Sequence, residues 1–121
     1  MNYKKYQEES QRTFSNRKQP LDEKTTDLLH CAIGVSTESG ELLDAFKKHI
    51  FYGKPLDHTN IKEEIGDKMW YISNLCRLMN IDLEEIMQTN INKLRIRYPE
   101  KFSNDLAEKR DLEAERKELE K

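Results

Sequence analysis

The sequence predicts an all-α protein, an antiparallel bundle of four to five helices with a charged C-terminal helix. Apolar residues recur at helical spacing along most of the chain, whereas the apolar–polar alternation that is typical of strands is absent. Only 4 glycines and 3 prolines interrupt the 121 residues, so the helical segments have few breaks. A chain of this length is expected to form one domain with a modest core.

The first helix is predicted to run from about Tyr3 to Phe14, where the polar segment SNRKQPLD breaks it. A long second helix follows from about Glu23 to Phe51. Gly53 and Pro55 end it, because a glycine just after a helix and a proline soon afterwards stop helices. Its apolar stripe, which we predict to face the core, consists of Leu28, Ala32, Val35, Leu42, Phe46 and Ile50.

The third helix is predicted to begin near Thr59 or Asn60, either of which is a suitable N-cap, and to end at Met79. Asp82 is the expected N-cap of a fourth helix, which ends at Pro99. The connections are short, so the second, third and fourth helices are expected to pack antiparallel in a bundle. The predicted core side of the third helix consists of Ile61, Ile65, Met69, Ile72, Cys76 and Met79.

The chain changes character after Phe102, where it becomes densely charged and has no aromatic residue. We interpret residues 103–121 as a charged helical tail that is appended to a domain formed by residues 1–102. An exposed helix is expected here, with Glu113 and Lys117 as a favourable pair one turn apart.

The composition limits the expected partners. Charged residues make up 36 % of the chain, yet the formal net charge is only -2. A surface of mixed sign lacks the extended positive field with which proteins bind nucleic acid or anionic membranes, so we expect neither as a partner.

Cys31 and Cys76 form neither a CxxC pair nor a zinc-type spacing, and we interpret them as buried, reduced thiols. The N-terminal segment has no apolar signal core and no segment reaches transmembrane length, so a cytoplasmic location is expected.

Two acidic steps stand out. Glu38 and Glu41 lie three residues apart on the second helix, and Glu64 and Asp67 repeat that spacing on the third. Residues three apart share a helix face, so antiparallel packing of the two helices would bring four carboxylates together. Such a cluster must take up protons or cations, and oxygen-only ligands suit Mg²⁺ or Mn²⁺. The ordinary alternative is a solvated acidic face.

Three glycines lie inside these predicted helices, although each weakens a helix by about 1 kcal/mol relative to alanine. They are Gly34, Gly40 and Gly66. Their small size is expected to let helices, or a ligand, approach closely beside the carboxylates.

Polar and aromatic residues accompany the acidic steps. His30 shares the face of Glu38, and Tyr71 shares the face of Asp67. Each has an ordinary reading as a core or boundary residue. On the fourth helix Asn90, Lys93 and Arg97 share one face, which suits phosphate oxygens beside a cation-filled cluster. Basic residues are also favoured near any helix C-terminus.

With these motifs the sequence resembles the MazG-like group of all-α nucleoside triphosphate pyrophosphohydrolases. That family combines an ExxE step on one helix with an ExxD step on the next. Here the two steps read ESGE (38–41) and EIGD (64–67), within EEIGDKMWYI, and NINKLRIRYPEKF follows downstream. The resemblance covers roughly residues 25 to 102, and the tail EKRDLEAERKELE is similar to those of small phage-type members.

The resemblance implies hydrolysis of a nucleoside triphosphate, usually a deoxynucleotide, to the monophosphate and pyrophosphate. It implies that Mg²⁺, with Mn²⁺ as a substitute, is held by Glu38, Glu41, Glu64 and Asp67, and that Glu41 or Glu38 accepts the proton of the attacking water. Lys93, Arg97 and Lys54 would contact phosphate oxygens, Asn90 and Tyr71 would position the sugar or base, and His30 or Trp70 would line the base pocket. The resemblance also implies a homodimer or homotetramer. It implies a cytoplasmic location, which is the host cytoplasm if the protein is phage-encoded.

Helical carboxylates and charged helix faces also occur in two other classes of protein. A di-iron carboxylate bundle expects Glu-x-x-His pairs, and this chain has none; its nearest approach is Asp27 to His30. A non-catalytic helical module that binds a nucleotide or a partner remains the alternative, although it leaves the paired acidic steps unexplained.

Overall fold

The computed structural model describes residues 1–121 and contains helices as its only regular elements, which confirms the predicted all-α class. The six helices are α1 (Tyr3–Gln11), α2 (Glu23–Tyr52), α3 (His58–Met79), α4 (Leu83–Arg97), α5 (Asn104–Glu108) and α6 (Leu112–Leu119). The charged tail therefore forms two short helices instead of one. No helix combines the length and the apolar character that crossing a membrane requires.

Local capping explains where the long helices begin and end. Asp22 starts α2 by accepting a hydrogen bond from the backbone N–H of Thr25 at 2.8 Å. Gly53 ends α2 in the left-handed conformation, with φ of 66°, as the sequence predicts. Asp82 caps α4, also as predicted.

Three predicted boundaries differ from the structure, and one of them is the end of α4, which lies at Arg97 and not at Pro99. The N-cap of α3 is Asp57, whose carboxylate accepts from the backbone N–H of Asn60, so α3 begins before Thr59. The first helix ends at Gln11, short of Phe14, because the chain leaves α1 through a turn. At the start of α3, Asp57, Thr59 and Asn60 offer similar capping chemistry, and their order alone does not select one.

The main packing in the chain joins α2 to α3 in an antiparallel pair connected by residues 53–57. The buried positions on α2 are Cys31, Gly34 and Ala45, and the buried position on α3 is Glu64. The side of α2 that meets α3 is thus its small and acidic side.

The predicted core side of α2 was wrong as a consequence. Phe46 and Ile50 remain 40 % and 66 % exposed, Ala32 is exposed, and the other members of the stripe are only half-buried. On α3 the predicted core side is divided, since Ile65, Met69 and Met79 are exposed. Small residues allow two helices to pack closely, and α2 meets α3 through its small-residue side and not through its apolar stripe.

The second packed pair is α4 with α6. We expected α4 to pack antiparallel along α3, but this is not a main contact of the structure. The main partner of α4 is the C-terminal helix α6. Only 5 of 121 residues are buried, and no large side chain is fully buried. A single chain thus supplies two helix pairs but little core of its own.

Candidate functional site

Three carboxylates converge where α2 meets α3. Glu38, Glu41 and Glu64 each offer an oxygen, and these oxygens all lie within 4.8 Å of one another. The antiparallel pairing of the two helices produces this arrangement, because each acidic step occupies one helix face. Glu64 is the most buried of the three, and the side-chain amide of Asn60 donates to its Oε1 at 3.0 Å.

Two oxygens of this cluster are buried without a hydrogen-bond partner, namely Oε2 of Glu38 and Oε2 of Glu64. Burying a polar oxygen without a partner is unfavourable, and burying an anionic oxygen is more so. A shared proton or a cation would relieve both oxygens at once. The donor set is entirely carboxylate oxygen, which fits Mg²⁺ or Mn²⁺ better than softer metals.

The ionisation of the cluster reflects the same crowding. A hydrogen bond with Glu64, burial, and the charges of Glu41, Glu64 and Asp67 raise the pKa of Glu38 to about 7. The pKa of Glu41 is raised as well, mainly by its hydrogen bond with Glu64. The pKa of Glu64 is lowered, mainly because the neighbouring Glu38 carboxyl, when protonated, shares its proton with Glu64. Without metal, this pKa of Glu38 favours a proton on the cluster below neutral pH.

Asp67 lies next to the cluster without being one of its three mutually close members. Together with Glu38, Trp70 and Tyr71 it lines a cavity of about 230 Å³. Of the two carboxylates in the second acidic step, that of Glu64 is buried against α2, whereas that of Asp67 lines an open cavity. An aromatic wall adjoins this cavity directly.

A second cavity, of about 440 Å³, lies at the connection between α2 and α3. Lys48, Lys54 and Asn60 are among its lining residues, and Asn60 also holds Glu64. Lys48 is paired with Asp44 at 2.8 Å, whereas Lys54 forms no ion pair. Lys54 therefore lines a cavity together with Asn60, the residue that donates to Glu64.

The aromatic residues form a group beside the 230 Å³ cavity. The ring of Tyr71 meets the ring of His30 edge-on at a centroid distance of 5.7 Å and that of Trp70 at 5.1 Å. His30 and Trp70 also line a further cavity of about 200 Å³. His30, Trp70 and Tyr71 are thus brought together.

The glycines act differently from one another. The Tyr71 ring occupies the space where Gly34 would carry a side chain. Gly40 and Gly66 border open space, so no packing contact within the chain accounts for them. The expectation of close helix approach therefore holds at Gly34 alone.

The predicted phosphate-binding face of α4 lies apart from this group. Asn90, Lys93 and Arg97 do not line the cavity at Glu38 and Asp67. Arg97 instead makes a two-pronged ion pair with Glu115 of α6, with Nε–Oε1 at 2.8 Å and Nη2–Oε2 at 3.1 Å.

Sequence reasoning missed Glu115, which is only 3 % exposed. Arg110 also donates to it, at 2.6 Å. Hydrogen bonds from Arg97 and Arg110 lower the pKa of Glu115 to about 2. Its local pattern is the same as that of its exposed neighbour Glu113, so no signal in the tail distinguishes it.

Comparison with known proteins agrees with these motifs. Residues 27–102 match the MazG nucleotide pyrophosphohydrolase domain. The chain is also 28 % identical over 74 residues to the Gene 37 protein of Mycobacterium phage L5, a match that covers 58 % of this chain and 65 % of the phage protein. The chain thus spans somewhat less than two thirds of the curated relative it matches. No solved structure matches.

Proposed function

We propose, because this chain belongs to the MazG nucleotide pyrophosphohydrolase family, that it hydrolyses a nucleoside triphosphate, in particular a deoxynucleotide, to the monophosphate and pyrophosphate with Mg²⁺. The observation that carries the proposal is the group of three converging carboxylates, two of which bury an oxygen without a partner. Mn²⁺ is expected to substitute for Mg²⁺, because it prefers the same oxygen ligands.

Glu38, Glu41, Glu64 and Asp67 would hold the metal. When bound, Mg²⁺ supplies charge neutralisation on the phosphate oxygens and polarises the attacking water. Glu41, the most exposed of the three clustered carboxylates, is the best candidate to accept the proton of that water, with Glu38 as the alternative. Asn60 acts indirectly by fixing the orientation of Glu64.

The remaining residues would bind the nucleotide. Lys54 lies at the cavity next to Asn60 without an acidic partner, which leaves its ammonium free for a phosphate oxygen. Tyr71, Trp70 and His30 would receive the nucleoside, since an aromatic group suits a flat base. Roles for Asn90, Lys93 and Arg97 remain a prediction that requires α4 to approach a cluster, most simply that of a second copy.

We also propose that the protein functions as a homodimer or homotetramer. The exposed side of α2 carries Leu43, Phe46, Ile50 and Phe51, which line one groove. An apolar patch of this kind is typical of a protein–protein interface. A second copy covering it would complete the core that one chain lacks.

Product analysis tests the proposed reaction. The protein is incubated with each common dNTP and NTP plus Mg²⁺, and monophosphate, diphosphate, pyrophosphate and orthophosphate are resolved. Monophosphate with pyrophosphate is expected, and both should disappear with EDTA and in a Glu64→Gln protein, which keeps the shape of the side chain but removes its charge.

Other products would correct the proposal. Diphosphate with orthophosphate would place the attack on a different phosphorus. Absence of turnover with every nucleotide, in a folded protein, would favour a non-catalytic module that binds a nucleotide or a partner.

A further inference from the structure

Tyr71 packs its ring directly against the backbone of α2 at Gly34. A β-carbon built on Gly34 would lie closer than 3.0 Å to ring atoms Cγ, Cδ1 and Cε1 of Tyr71, a distance that real β-carbons essentially never show. Gly34 is buried, whereas a β-carbon on Gly40 or Gly66 would meet nothing within 4 Å. Gly34 is therefore the helical glycine whose missing side chain is replaced by a neighbouring residue.

Two aromatic side chains adjoin the ring. His30 and Trp70 both contact it edge-on, with centroids 5.7 and 5.1 Å away. An aromatic ring is rigid, and side chains on a helix occupy only a few rotamers. A methyl group at position 34 would therefore displace the whole ring of Tyr71.

The position of this ring decides the shape of the cavity beside the carboxylates. Tyr71 and Trp70 form its aromatic wall, and Glu38 and Asp67 form its acidic wall. With a volume of about 230 Å³, the cavity is small enough for a displaced ring to alter it substantially.

We propose that Gly34 is a positioning residue, which seats the Tyr71 ring at the edge of the Glu38–Asp67 cavity so that the ring receives the nucleoside of a nucleoside triphosphate. The inference rests on the proposed function, because it concerns the substrate of the same site. An aromatic face beside carboxylates suits a ligand with a flat base at one end and metal-bound phosphates at the other. Gly34 itself touches no substrate and acts through Tyr71.

A double-mutant cycle tests this role with four proteins: wild type, Gly34→Ala, Tyr71→Ala and the double variant. For each we would measure kcat and KM for the best nucleotide, together with the melting temperature. The dissociation constant of a non-hydrolysable analogue of that nucleotide with Mg²⁺ is measured separately, from the fluorescence of the single tryptophan, Trp70.

Gly34→Ala is expected to raise KM and the dissociation constant about tenfold and to change kcat less than about twofold, because the ring is misplaced while the carboxylates are not. In the Tyr71→Ala background, the same substitution should change neither constant more than about twofold, since no ring remains to be displaced. Gly66→Ala controls for the exchange of glycine by alanine in a helix and should not lower the melting temperature.

Several outcomes would overturn the inference. An equal effect of Gly34→Ala on KM in both backgrounds, or a lower melting temperature with unchanged KM, would reduce Gly34 to helix packing and leave the proposed function intact. If Gly34→Ala does not fold, Tyr71→Leu decides, and an unchanged KM in that variant overturns the inference.

Failure of the proposed function would look different. A wild type that binds the analogue but hydrolyses no nucleotide would overturn the reaction, and the dissociation constants would then decide the role of Gly34. A wild type that neither binds nor hydrolyses would overturn both.

Discussion

Glu38 and Glu64 each bury a carboxylate oxygen that has no hydrogen-bond partner. Two means of relief are chemically available, a proton shared by the two side chains or a divalent cation between them. The raised pKa of Glu38 reflects the first of these, the shared proton. Because the cation needs the deprotonated form, the two compete, and metal binding should release a proton.

This competition predicts how stability depends on pH and metal. The folded-state pKa of Glu38, about 7, lies above the ordinary value of 4.5. Its contribution to stability is thus complete below 4.5 and is lost as the pH rises through 7. Glu41 acts in the same direction, and Glu64, whose pKa is lowered, opposes them in part. The metal-free melting temperature should therefore fall from about pH 5.5 to about pH 8, and Mg²⁺ should raise it more at the higher pH.

Glu38→Gln is the matched variant, because it has the same size and does not titrate. Its melting temperature should lose most of this pH dependence and respond little to Mg²⁺. Glu63→Gln, at an exposed neighbour of Glu64, should behave like the wild type. If neither pH nor Mg²⁺ changes the wild-type melting temperature, the cluster neither holds a proton nor binds the metal.

Among the elements, α6 is attached to α4 by one buried carboxylate. Glu115 accepts hydrogen bonds from Arg97 of α4 and from Arg110, which precedes α6. Hydrogen bonds between charged partners are stronger than neutral ones, and a buried charge that loses its partner is strongly destabilising. A helix as short as α6 is not stable alone, so it needs contacts with α4, and the buried Glu115 supplies one of them.

Glu115→Gln should release α6. We expect the hydrogen-exchange protection of residues 112–119 to fall more than about tenfold, because charged hydrogen bonds are lost. The pKa of Glu115, lowered from 4.5 to about 2, means that the wild-type contact is complete above pH 4.5 and is lost as the pH falls towards 2. Glu113 forms a solvent-exposed ion pair with Lys117, with an Nζ–Oε1 distance of 3.7 Å. Glu113→Gln should therefore leave the hydrogen-exchange protection unchanged. Equal protection in both variants would assign the docking of α6 to apolar contacts.

The elements also divide what the sequence could predict from what it could not. The limits of α2 and the cap at Asp82 follow from residues a few positions away, so they could be predicted. The core side of α2 depends on which neighbour it meets, and the apolar stripe with Phe46 and Ile50 pointed to the wrong side of the helix pair. The paired acidic steps predicted that carboxylates of α2 and α3 converge, and three of the four do, because their spacing and the helix pairing act together. Glu115 could not be found, since its burial arises from distant partners.

In the whole molecule, many large apolar side chains are exposed and few residues are buried. Leu43, Ile50 and Phe51 on α2 are 70 %, 66 % and 76 % exposed, while only 5 residues of the chain are buried. Apolar burial is the main favourable term in folding, so a chain with this little core is marginal alone. Association through α2 would supply the missing burial and could also bring α4 of one copy to the carboxylates of another.

The assembly should therefore be sensitive to charge on the exposed side of α2. The wild type is expected to have two or four times the mass of one chain, 14.4 kDa, in analytical ultracentrifugation. Leu43→Glu and Phe51→Glu should shift it to the single-chain mass and lower its melting temperature, because each buries a carboxylate against an apolar partner surface. Phe14→Glu, at a residue 83 % exposed outside α2, is the control and should not change the mass. If turnover disappears together with the larger mass while the isolated chains still bind Mg²⁺, the second copy supplies part of the site. Lys93 is then the residue to exchange first, because Arg97 is held by Glu115. A wild type that sediments as one stable 14.4 kDa chain would instead mean that the apolar side of α2 tolerates solvent.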